Sequence, residues 1–493
     1  MYRKLIPLLG LALILTGCPK KQAFERPASP VPDAWPERAA AQAEAGGSPA
    51  AADLGWREFF TDPRLQSVIE RALENNRDLR AAALNVERIQ ALYRIQRAEL
   101  YPTVSLGAGV EALRTPRTVS SSDESNTGGQ YTVGVGTASW ELDFFGRIRS
   151  LTQAALEQYF ASEQARTATQ ISLVAAVANI YLTLAADQEN LRLAQATLDS
   201  QRTALDLIQR SRDFGIASDL EVHEAQAQVD AARVDIARYS GLVALDENAL
   251  DLVVGAPVPA DLKPAGLDGI PEFPDVSAGL PSDLLLRRPD IAASEHQLKA
   301  AYANIGAARA AFFPRITLTA AAGLVSTDLS DLFTAGAGTW SFAPQLVYPI
   351  FDSGARKANY RVAEVDRDLA VAGYEQSIQT AFREVSDALG LRKTLVEQQD
   401  AQQSLVHSLQ ETYRLADARY KAGIDGYLNV LVAQRAMYNA QEGLVYVRLA
   451  RRANLVTLYK VLGGGGGTAG SAAPAPGGSA SDSGKIPPNS HGE

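Results

Sequence analysis

The residue types that most often carry chemistry are scarce in this chain of 493 residues. Cys18 is the single cysteine, so the sequence excludes an intrachain disulfide and a metal site built from several thiolates. The histidines lie far apart in sequence and show no metal-ligand spacing. They are His223, His296, His407 and His491. We also find no nucleophile elbow or phosphate loop. We therefore predict a protein that is not an enzyme and has no cofactor or resident metal.

The chemistry open to Cys18 follows from the residues before it. Two basic residues at positions 3 and 4 precede an apolar run over residues 5–15. That run is too short to span a hydrocarbon core of about 30 Å and has the form of a signal peptide. It ends in LTGC at residues 15–18, which resembles the lipobox of bacterial lipoproteins. The resemblance implies removal of residues 1–17 and a covalent lipid on Cys18, as S-diacylglycerol and N-palmitoyl. The alternative is an inert cysteine beside a signal peptide.

Residue 19 is Pro rather than the Asp that, by the same resemblance, retains lipoproteins in the inner membrane, so the outer membrane is favoured. Acyl chains contribute about 0.8 kcal/mol per buried methylene, so several would hold the protein on the membrane almost permanently. Residues 18–62 are then a lipid-anchored extended segment, rich at first in Pro, Ala and Glu. At the other end, residues 464–493 are rich in Gly, Ala, Ser and Pro and are predicted to form a disordered tail.

Charge and length restrict the function and the architecture. The formal net charge of −9 argues against a nucleic-acid-binding surface. Hydrophobic residues make up 46% of the chain and charged residues 21%, as in an ordinary folded protein. Because single cores stop growing at about 250 to 300 residues, we expect two domains or an elongated or repeated architecture.

An internal repeat favours the second of these possibilities. Pro102 aligns with Pro314, each after an aromatic residue, and 314 − 102 gives 212. Further along, Gly215 aligns with Gly423, and 423 − 215 gives 208. A nearly constant offset over most of the chain predicts a tandem duplication. The predicted units are a first repeat at 63–255, a Pro-rich linker at 256–281 and a second repeat at 282–463.

Each repeat contains a predicted long helical hairpin. Residues 147–213 include neither Gly nor Pro, and apolar residues such as Ile171, Val174 and Ala178 recur at spacings of three and four. At 1.5 Å per residue such a helix is about 100 Å long, and it is too polar to be transmembrane. A glycine turn leads to a second helix in each repeat. The hairpins should span 147–253 and 356–461 and pack as antiparallel coiled coils.

Each repeat also contains two predicted strands, at about 103–112 and 131–143 and at about 315–325 and 339–350. Apolar and small polar residues alternate along them, which suits a barrel wall with a lipid face and a lumen face. The parity changes between Val135 and Trp140, as a bulge or bend would produce. Four strands cannot close a barrel, and open edges are forbidden in lipid, so several chains must share one wall. The fold class is thus an α+β membrane protein with a tandem-repeat protomer.

These features resemble the TolC-like outer-membrane channel family, in particular the OprM-like lipoprotein branch that serves resistance-nodulation-division pumps. The resemblance covers residues 1 to 465. The segments that resemble the family most specifically are LPSDLLLRRPDI at 280–291, NIGAARAAFFP at 304–314, RYKAGIDGYLNVLVAQR at 419–435 and TLYKVLGGG at 457–465. The resemblance implies a homotrimer with one twelve-stranded barrel in the outer membrane. Its long helices would form a periplasmic α-barrel tunnel of about 100 Å.

The resemblance also implies a function. The protein would be the outer-membrane channel of a tripartite efflux pump, passively conducting drugs or other small toxic compounds from the periplasm to the exterior. Its partners would be a periplasmic adaptor (membrane-fusion) protein, an inner-membrane resistance-nodulation-division transporter and outer-membrane lipid. Contact with the adaptor and the transporter would open it.

The residues that would serve this function lie at or near the turns of the helical hairpins. By the resemblance, Asp417 would appear three times in a trimer as an acidic constriction, with Tyr413 one turn away on the same face. The alternative is that Asp417 is a solvated coiled-coil charge. The turns would dock the adaptor through Gly215, Ile216, Gly423 and Ile424.

Other interpretations stay open. Arg287 and Arg288 could bind phosphate, but Pro289 beside Asp290 favours a structural turn at the start of a helix. The function could instead be a protein-secretion channel, a metal-ion efflux channel, or a periplasmic scaffold without a pore. Only two methionines occur, which weakens a copper or silver route.

Overall fold

The structure, a computed structural model, describes residues 24–36, 53–118, 125–278 and 288–464. The predicted signal peptide, Cys18, Arg287 and the tail from residue 465 lie outside these ranges. The helices are α1 (Trp56–Phe59), α2 (Pro63–Asn75), α3 (Arg77–Ala98), α4 (Arg147–Asp213), α5 (Asp219–Val254), α6 (Pro289–Ala310), α7 (Ala355–Lys421) and α8 (Tyr427–Val461). The strands are β1 (Ser105–Thr115), β2 (Asn126–Glu141), β3 (Arg315–Ser326) and β4 (Gly338–Val347).

The same order of elements occurs twice along the chain. A helix, two strands, a long helix and a return helix follow one another as α3–β1–β2–α4–α5 and again as α6–β3–β4–α7–α8. Both long helices contain 67 residues. Glycines with left-handed backbone mark the helix ends in both copies, where a β-carbon would be strained. They are Gly146, Gly215 and Gly255, followed 208 residues later by Gly354, Gly423 and Gly463.

The strands form one antiparallel sheet in the order β1-β2-β3-β4, so the β2–β3 pairing joins the two copies. The register shifts between Thr137 and Trp140, where the sequence shows its change of parity. The first hairpin is longer than the strands expected at 103–112 and 131–143, because the ladder continues to Thr115 paired with Asn126. Backbone pairing needs no apolar side chains, so this polar extension leaves no alternating pattern.

The helical core surrounds the middle of α4. Tyr181 and Leu182 of this helix are fully buried in a cluster with α2, α8 and the linker. Phe59 of α1 stacks on Tyr459 of α8 with ring centroids 4.2 Å apart. One 18-residue window of α4 reaches a mean hydropathy of 1.5, apolar enough to cross a membrane by length and composition, contrary to our expectation. More than half of that window is buried inside the protein, which accounts for its apolar composition.

The linker between the repeats is fixed to the helices by arginines. Arg392 of α7 pairs with Asp275 at 2.7 Å, and Arg451 of α8 pairs with Glu272 at 3.0 Å. The buried guanidinium of Arg452 donates to the carbonyl oxygen of Leu267 at 2.7 Å. The predicted linker is therefore a packed strap across the second hairpin over its described residues.

The N-terminal segment is extended over residues 24–36, but it is docked on the helices rather than free. Trp35 is buried and stacks on Phe382 of α7 with ring centroids 5.0 Å apart. Phe24 meets Tyr302 of α6 edge to face at 5.7 Å. The extended segment expected at 18–62 also contains the short helix α1. Single aromatic anchors and a one-turn helix give no periodic signal in a sequence.

Candidate gate at the helical turns

The turn between α4 and α5 is held by a reciprocal cap. Gly215 has a φ of 73°, which reverses the chain after α4. The Ser218 hydroxyl accepts from the Glu221 backbone N–H, and a Glu221 carboxylate oxygen accepts from the Ser218 N–H at 2.7 Å. This capping box satisfies two backbone donors at the start of α5.

The turn between α7 and α8 has no such cap and is held by a two-pronged ion pair, whereas the first turn adds to its cap only the longer Arg212–Asp219 pair at 3.5 Å. Gly423 has a φ of 71°, and Gly426 precedes α8 without a side-chain cap. Arg419 donates to both oxygens of Asp425, at 2.6 and 3.1 Å. The two turns are thus equivalent in backbone path and different in what fixes them.

Both turns lie at the same end of the molecule. Ile208 of α4, Ala225 of α5 and Tyr427 of α8 share one buried cluster there. Ile216 and Ile424, which we predicted to dock an adaptor, project from this end as exposed apolar side chains. Gly215 and Gly423 beside them supply the left-handed backbone of each turn.

Asp417 and Tyr413 line one crevice beside α4, as their spacing of four residues requires. The Asp417 carboxylate lies 2.7 Å from the Lys421 ammonium, one helical turn further along α7. The Asp417 side chain is 31% exposed and that of Lys421 is 62% exposed. The adjacent carboxylate raises the pKa of Lys421. An acidic ring built from Asp417 would therefore carry one ammonium beside each carboxylate, which weakens its field. We missed Lys421, although an Asp–Lys spacing of four is readable in the sequence.

A second polar contact missed by sequence reasoning joins the two hairpins. The Tyr239 hydroxyl of α5 donates to a Glu442 carboxylate oxygen of α8 at 2.6 Å. Arg238 donates to the same oxygen at 3.2 Å. Burial and the hydrogen bond to Glu442 raise the pKa of the Tyr239 phenol, so its O–H stays a donor at neutral pH. The partners are 203 residues apart, and no local pattern connects them.

Arg288 is buried and holds three elements together. Its guanidinium donates to Asp290 at 2.6 Å, to Glu384 of α7 at 2.8 Å and to the Val461 carbonyl oxygen of α8 at 2.8 Å. These contacts use the Arg288 guanidinium within the protein and not for binding phosphate, which agrees with the structural turn favoured by the sequence.

The histidines of the described residues do not converge. His296 contacts the Glu157 carboxylate at 2.7 Å, between α6 and α4. His223 and His407 are exposed on α5 and α7, and His491 lies outside the described residues. Within the described ranges no group of three His, Cys, Asp or Glu side chains could hold a metal ion.

Comparison with known proteins decides the family. The protein-family model described as "Outer membrane efflux protein" matches residues 68–256 and again residues 280–464. The chain belongs to the outer membrane efflux protein family. The two matches confirm the tandem duplication, because their starts differ by 280 − 68 = 212 residues and their ends by 464 − 256 = 208.

Relatives cover almost all of this efflux channel. The antibiotic efflux pump outer membrane protein ArpC and the toluene efflux pump outer membrane protein TtgC, both from Pseudomonas putida, are each 49% identical over 466 residues. Each alignment covers 94% of this chain and 96% of the relative. The crystal structure of the open state of the Neisseria gonorrhoeae MtrE outer membrane channel is 38% identical with a TM-score of 0.84. That match covers 91% of this chain and 98% of the MtrE chain.

These matches confirm the predicted TolC-like recognition, the α+β tandem-repeat protomer, and the outer-membrane location. The protein is the outer-membrane channel component of an efflux pump.

Proposed function

We propose that three copies of this chain assemble into one conduit, which passively carries small toxic organic compounds from the periplasm to the exterior. The observation that carries the proposal is the four-stranded sheet whose edge strands, β1 and β4, have no partner within the described residues. Large apolar side chains on these edges, including Leu106, Trp340 and Phe342, are exposed. Three such sheets supply twelve strands, enough for a closed wall around a water-filled lumen.

The assembly is tested by cysteine crosslinking between β1 of one copy and β4 of the next. Gly107 shares the lumen-side parity of β1, and a cysteine there is combined with one on the same parity of β4. The three β4 positions are Thr339, Ser341 and Ala343. We expect one of the three pairs to give covalent dimers and trimers on denaturing gels. A cysteine at Ala108, on the opposite parity, is the matched control. Monomers from every pair would contradict a shared wall.

The cargo class and the absence of catalysis are parts of the same proposal. Two relatives at equal identity are named for antibiotics and for toluene, which supports a pore for diverse small organic compounds. A conduit of this kind needs no enzymatic step. We propose an adaptor and an inner-membrane transporter of the resistance-nodulation-division class as its partners. No observation on the described residues favours protein secretion, metal-ion efflux or a scaffold without a pore.

We further propose that Cys18 carries the predicted lipid, with the docked segment setting its position. Phe24 and Ala370 of α7 pack against the same apolar cluster. Ala370 lies 15 residues from the start of α7 at Ala355, about 22 Å along the helix from its sheet end. The six residue steps from Phe24 back to Cys18 span at most about 20 Å, which matches that distance. Labelled palmitate should be incorporated by the protein and not by Cys18→Ser. Equal labelling of the variant would contradict the anchor.

We propose that the adaptor docks on the two turns through Ile216 and Ile424. Both are apolar side chains exposed to solvent at a helix end, and exposed apolar surface of this kind is typical of a contact with another protein. Cysteines at these positions should crosslink to the adaptor in cells. A cysteine at Leu252, equally exposed near the far end of α5, is the matched control and should not. Crosslinking from Leu252 alone would place the adaptor elsewhere.

A further inference from the structure

One face of the sheet carries almost no charge. Residues of alternate parity along the four strands share this face, and most of them are Gly, Ala, Ser or Thr. The opposite face carries large exposed apolar side chains such as Leu106 and Phe342, so it is the lipid side of the proposed wall. The small-residue face then lines the lumen. Its charged side chains, among the described strand residues, are Glu111, Glu141 and Arg315.

Glu141 and Arg315 meet at the end of the sheet where the long helices begin. Glu141 is the last residue of β2, and Arg315 is the first residue of β3. Glu141 lies opposite Thr317 in the ladder, so the two share a face, and Arg315 shares it by its spacing of two from Thr317. The Arg315 guanidinium lies 2.5 Å from a Glu141 carboxylate oxygen, which agrees with this placement. Glu111 lies six residues along β1 from Ser105, about 20 Å further towards the hairpin.

The Glu141 carboxylate also has a second cationic partner. Arg147, at the start of α4, donates to both of its oxygens, at 2.8 and 2.9 Å. One carboxylate therefore faces two guanidiniums, which leaves one positive charge in excess. The Glu141 side chain is 9% exposed and that of Arg147 is 32% exposed, whereas that of Arg315 is 60% exposed. The excess charge thus lies on the side chain that is most open to solvent.

The surrounding residues do not offset this charge. The carboxylates that cap α4 and α7 each have an arginine of their own, in the pairs Asp143–Arg149 and Asp352–Arg356. Four segments join the helices to the sheet, and they carry seven basic and four acidic side chains, so 7 − 4 gives +3 in each chain. The segments are 97–105, 141–149, 309–317 and 347–357. The junction is therefore positive in a chain whose formal net charge is −9.

We propose that Arg315 is a selectivity residue of the conduit, which favours anionic over cationic solutes where the sheet meets the helices. The inference rests on the trimeric conduit proposed above, because three chains place three Arg315 guanidiniums around one lumen. Rings of arginine or lysine favour anions in pores. Arginine stays protonated in proteins, so this preference does not depend on pH.

Reversal potentials across planar bilayers in a salt gradient test this, because they give the ratio of chloride to potassium permeability. Arg315→Gln removes the charge and keeps a donor for Glu141. The permeability ratio should fall about two- to fivefold near 10 mM salt, where charges act over about 30 Å. Arg315→Lys keeps the charge and should keep the ratio. Arg114→Gln removes an exposed arginine from the opposite face of β1 and is the matched control, which should leave the ratio unchanged.

A second variant covers the case in which Arg315→Gln does not assemble. Thr317→Lys adds a positive charge on the same face and leaves Arg315 in place, so it should raise the permeability ratio. The helical turns are identical in all variants, so the differences report on the junction.

The outcomes separate this inference from the conduit itself. An original chain that gives no conductance would refute the conduit, and the selectivity role with it. Channels with equal ratios in the original chain and in Arg315→Gln would overturn only the role of Arg315. An equal fall in Arg315→Lys would show that the shape of the guanidinium matters and not its charge. An unchanged ratio in Thr317→Lys would place this face outside the conduction path.

Discussion

The contact between Tyr239 and Glu442 predicts a measurable effect on channel opening. It joins α5 of the first hairpin to α8 of the second, so any motion that separates the hairpins must break it. Tyr239→Phe removes the hydroxyl and keeps the ring, which is buried under the Arg238 guanidinium at 4.4 Å. The variant therefore tests the hydrogen bond and not the packing.

The size of the effect follows from the geometry. A hydrogen bond to a charged group contributes about 1.5 to 3 kcal/mol. The Glu442 side chain is 24% exposed and keeps its contact with Arg238, so water and the guanidinium replace part of this. We discount the loss to about 1 to 2 kcal/mol. With a factor of ten for every 1.4 kcal/mol, the ratio of open to closed states should rise about 5- to 30-fold for each subunit in which the contact is lost, and by more for a channel whose copies open together.

The assay is single-channel recording in planar bilayers, in which the fraction of time spent open is compared between variants. Tyr446→Phe changes an exposed tyrosine that lies one turn beyond Glu442 on α8, and it is the matched control. Thermal unfolding of both variants separates gating from general loss of stability. If Tyr239→Phe lowers the melting temperature but leaves the open fraction equal to that of Tyr446→Phe, the contact survives opening and the reasoning is wrong.

Three further predictions concern charge, pH and the docked segment. Asp417→Ala should change cation preference and blockade in single-channel recordings, while conductance changes about twofold or less because Lys421 already offsets the carboxylate. Unchanged cation preference and blockade would exclude a role in the constriction. Burial first, and then the neighbouring Asp187 carboxylate, raise the pKa of Asp246 to about 6 from its ordinary 3.8. The protonated form therefore favours the folded state, and this contribution is lost as the pH rises from about 4 to about 6. Asp246→Asn should raise the melting temperature above pH 6 relative to the original chain, whereas Asp199→Asn, at an exposed carboxylate of α4, should not. Equal pH profiles for the two variants would contradict a raised pKa at Asp246. Trp35→Ala removes a buried, stacked ring at a cost of about 3 to 5 kcal/mol, which should undock residues around position 35 and expose the segment to proteolysis. Glutamyl endopeptidase should therefore cleave after Glu25 much faster than in Glu295→Gln, which loses the ion pair to Arg26 and keeps the cleavage site unchanged. Equal cleavage rates would show that the ring does not hold the segment.

Much of the fold was predictable because its signals are local and occur twice. Gly215 and Gly423 mark turns that need a left-handed residue, and residues 147–213 carry an apolar spacing that neither Gly nor Pro interrupts. The bulge between Thr137 and Trp140 was visible as a change of parity. Duplication strengthens each signal, since a chance pattern would not return after 208 residues.

The contacts that fix one hairpin against the other were not predictable in this way. Tyr239 and Glu442, or Arg288 and Glu384, are ordinary polar residues on their own helices. Their pairing depends on how helices pack side by side, which a single sequence does not encode locally. Trp35 belongs to the same class, because one aromatic residue in a Pro-rich stretch has no period.

The β2–β3 pairing has a consequence for how the ring is divided among subunits. Within one chain it sets two equivalent hairpins side by side, so each chain contributes two units to the proposed wall. A chain with a single repeat would need six copies to complete the circle that three copies complete in the proposed assembly. Because the two repeats lie in one chain, their sequences can also differ from each other. One turn is held by a capping box at Ser218, and the other is held by the Arg419–Asp425 pair. In a ring of six identical units every turn would be held in the same way, whereas in the proposed ring turns held by a cap alternate with turns held by an ion pair.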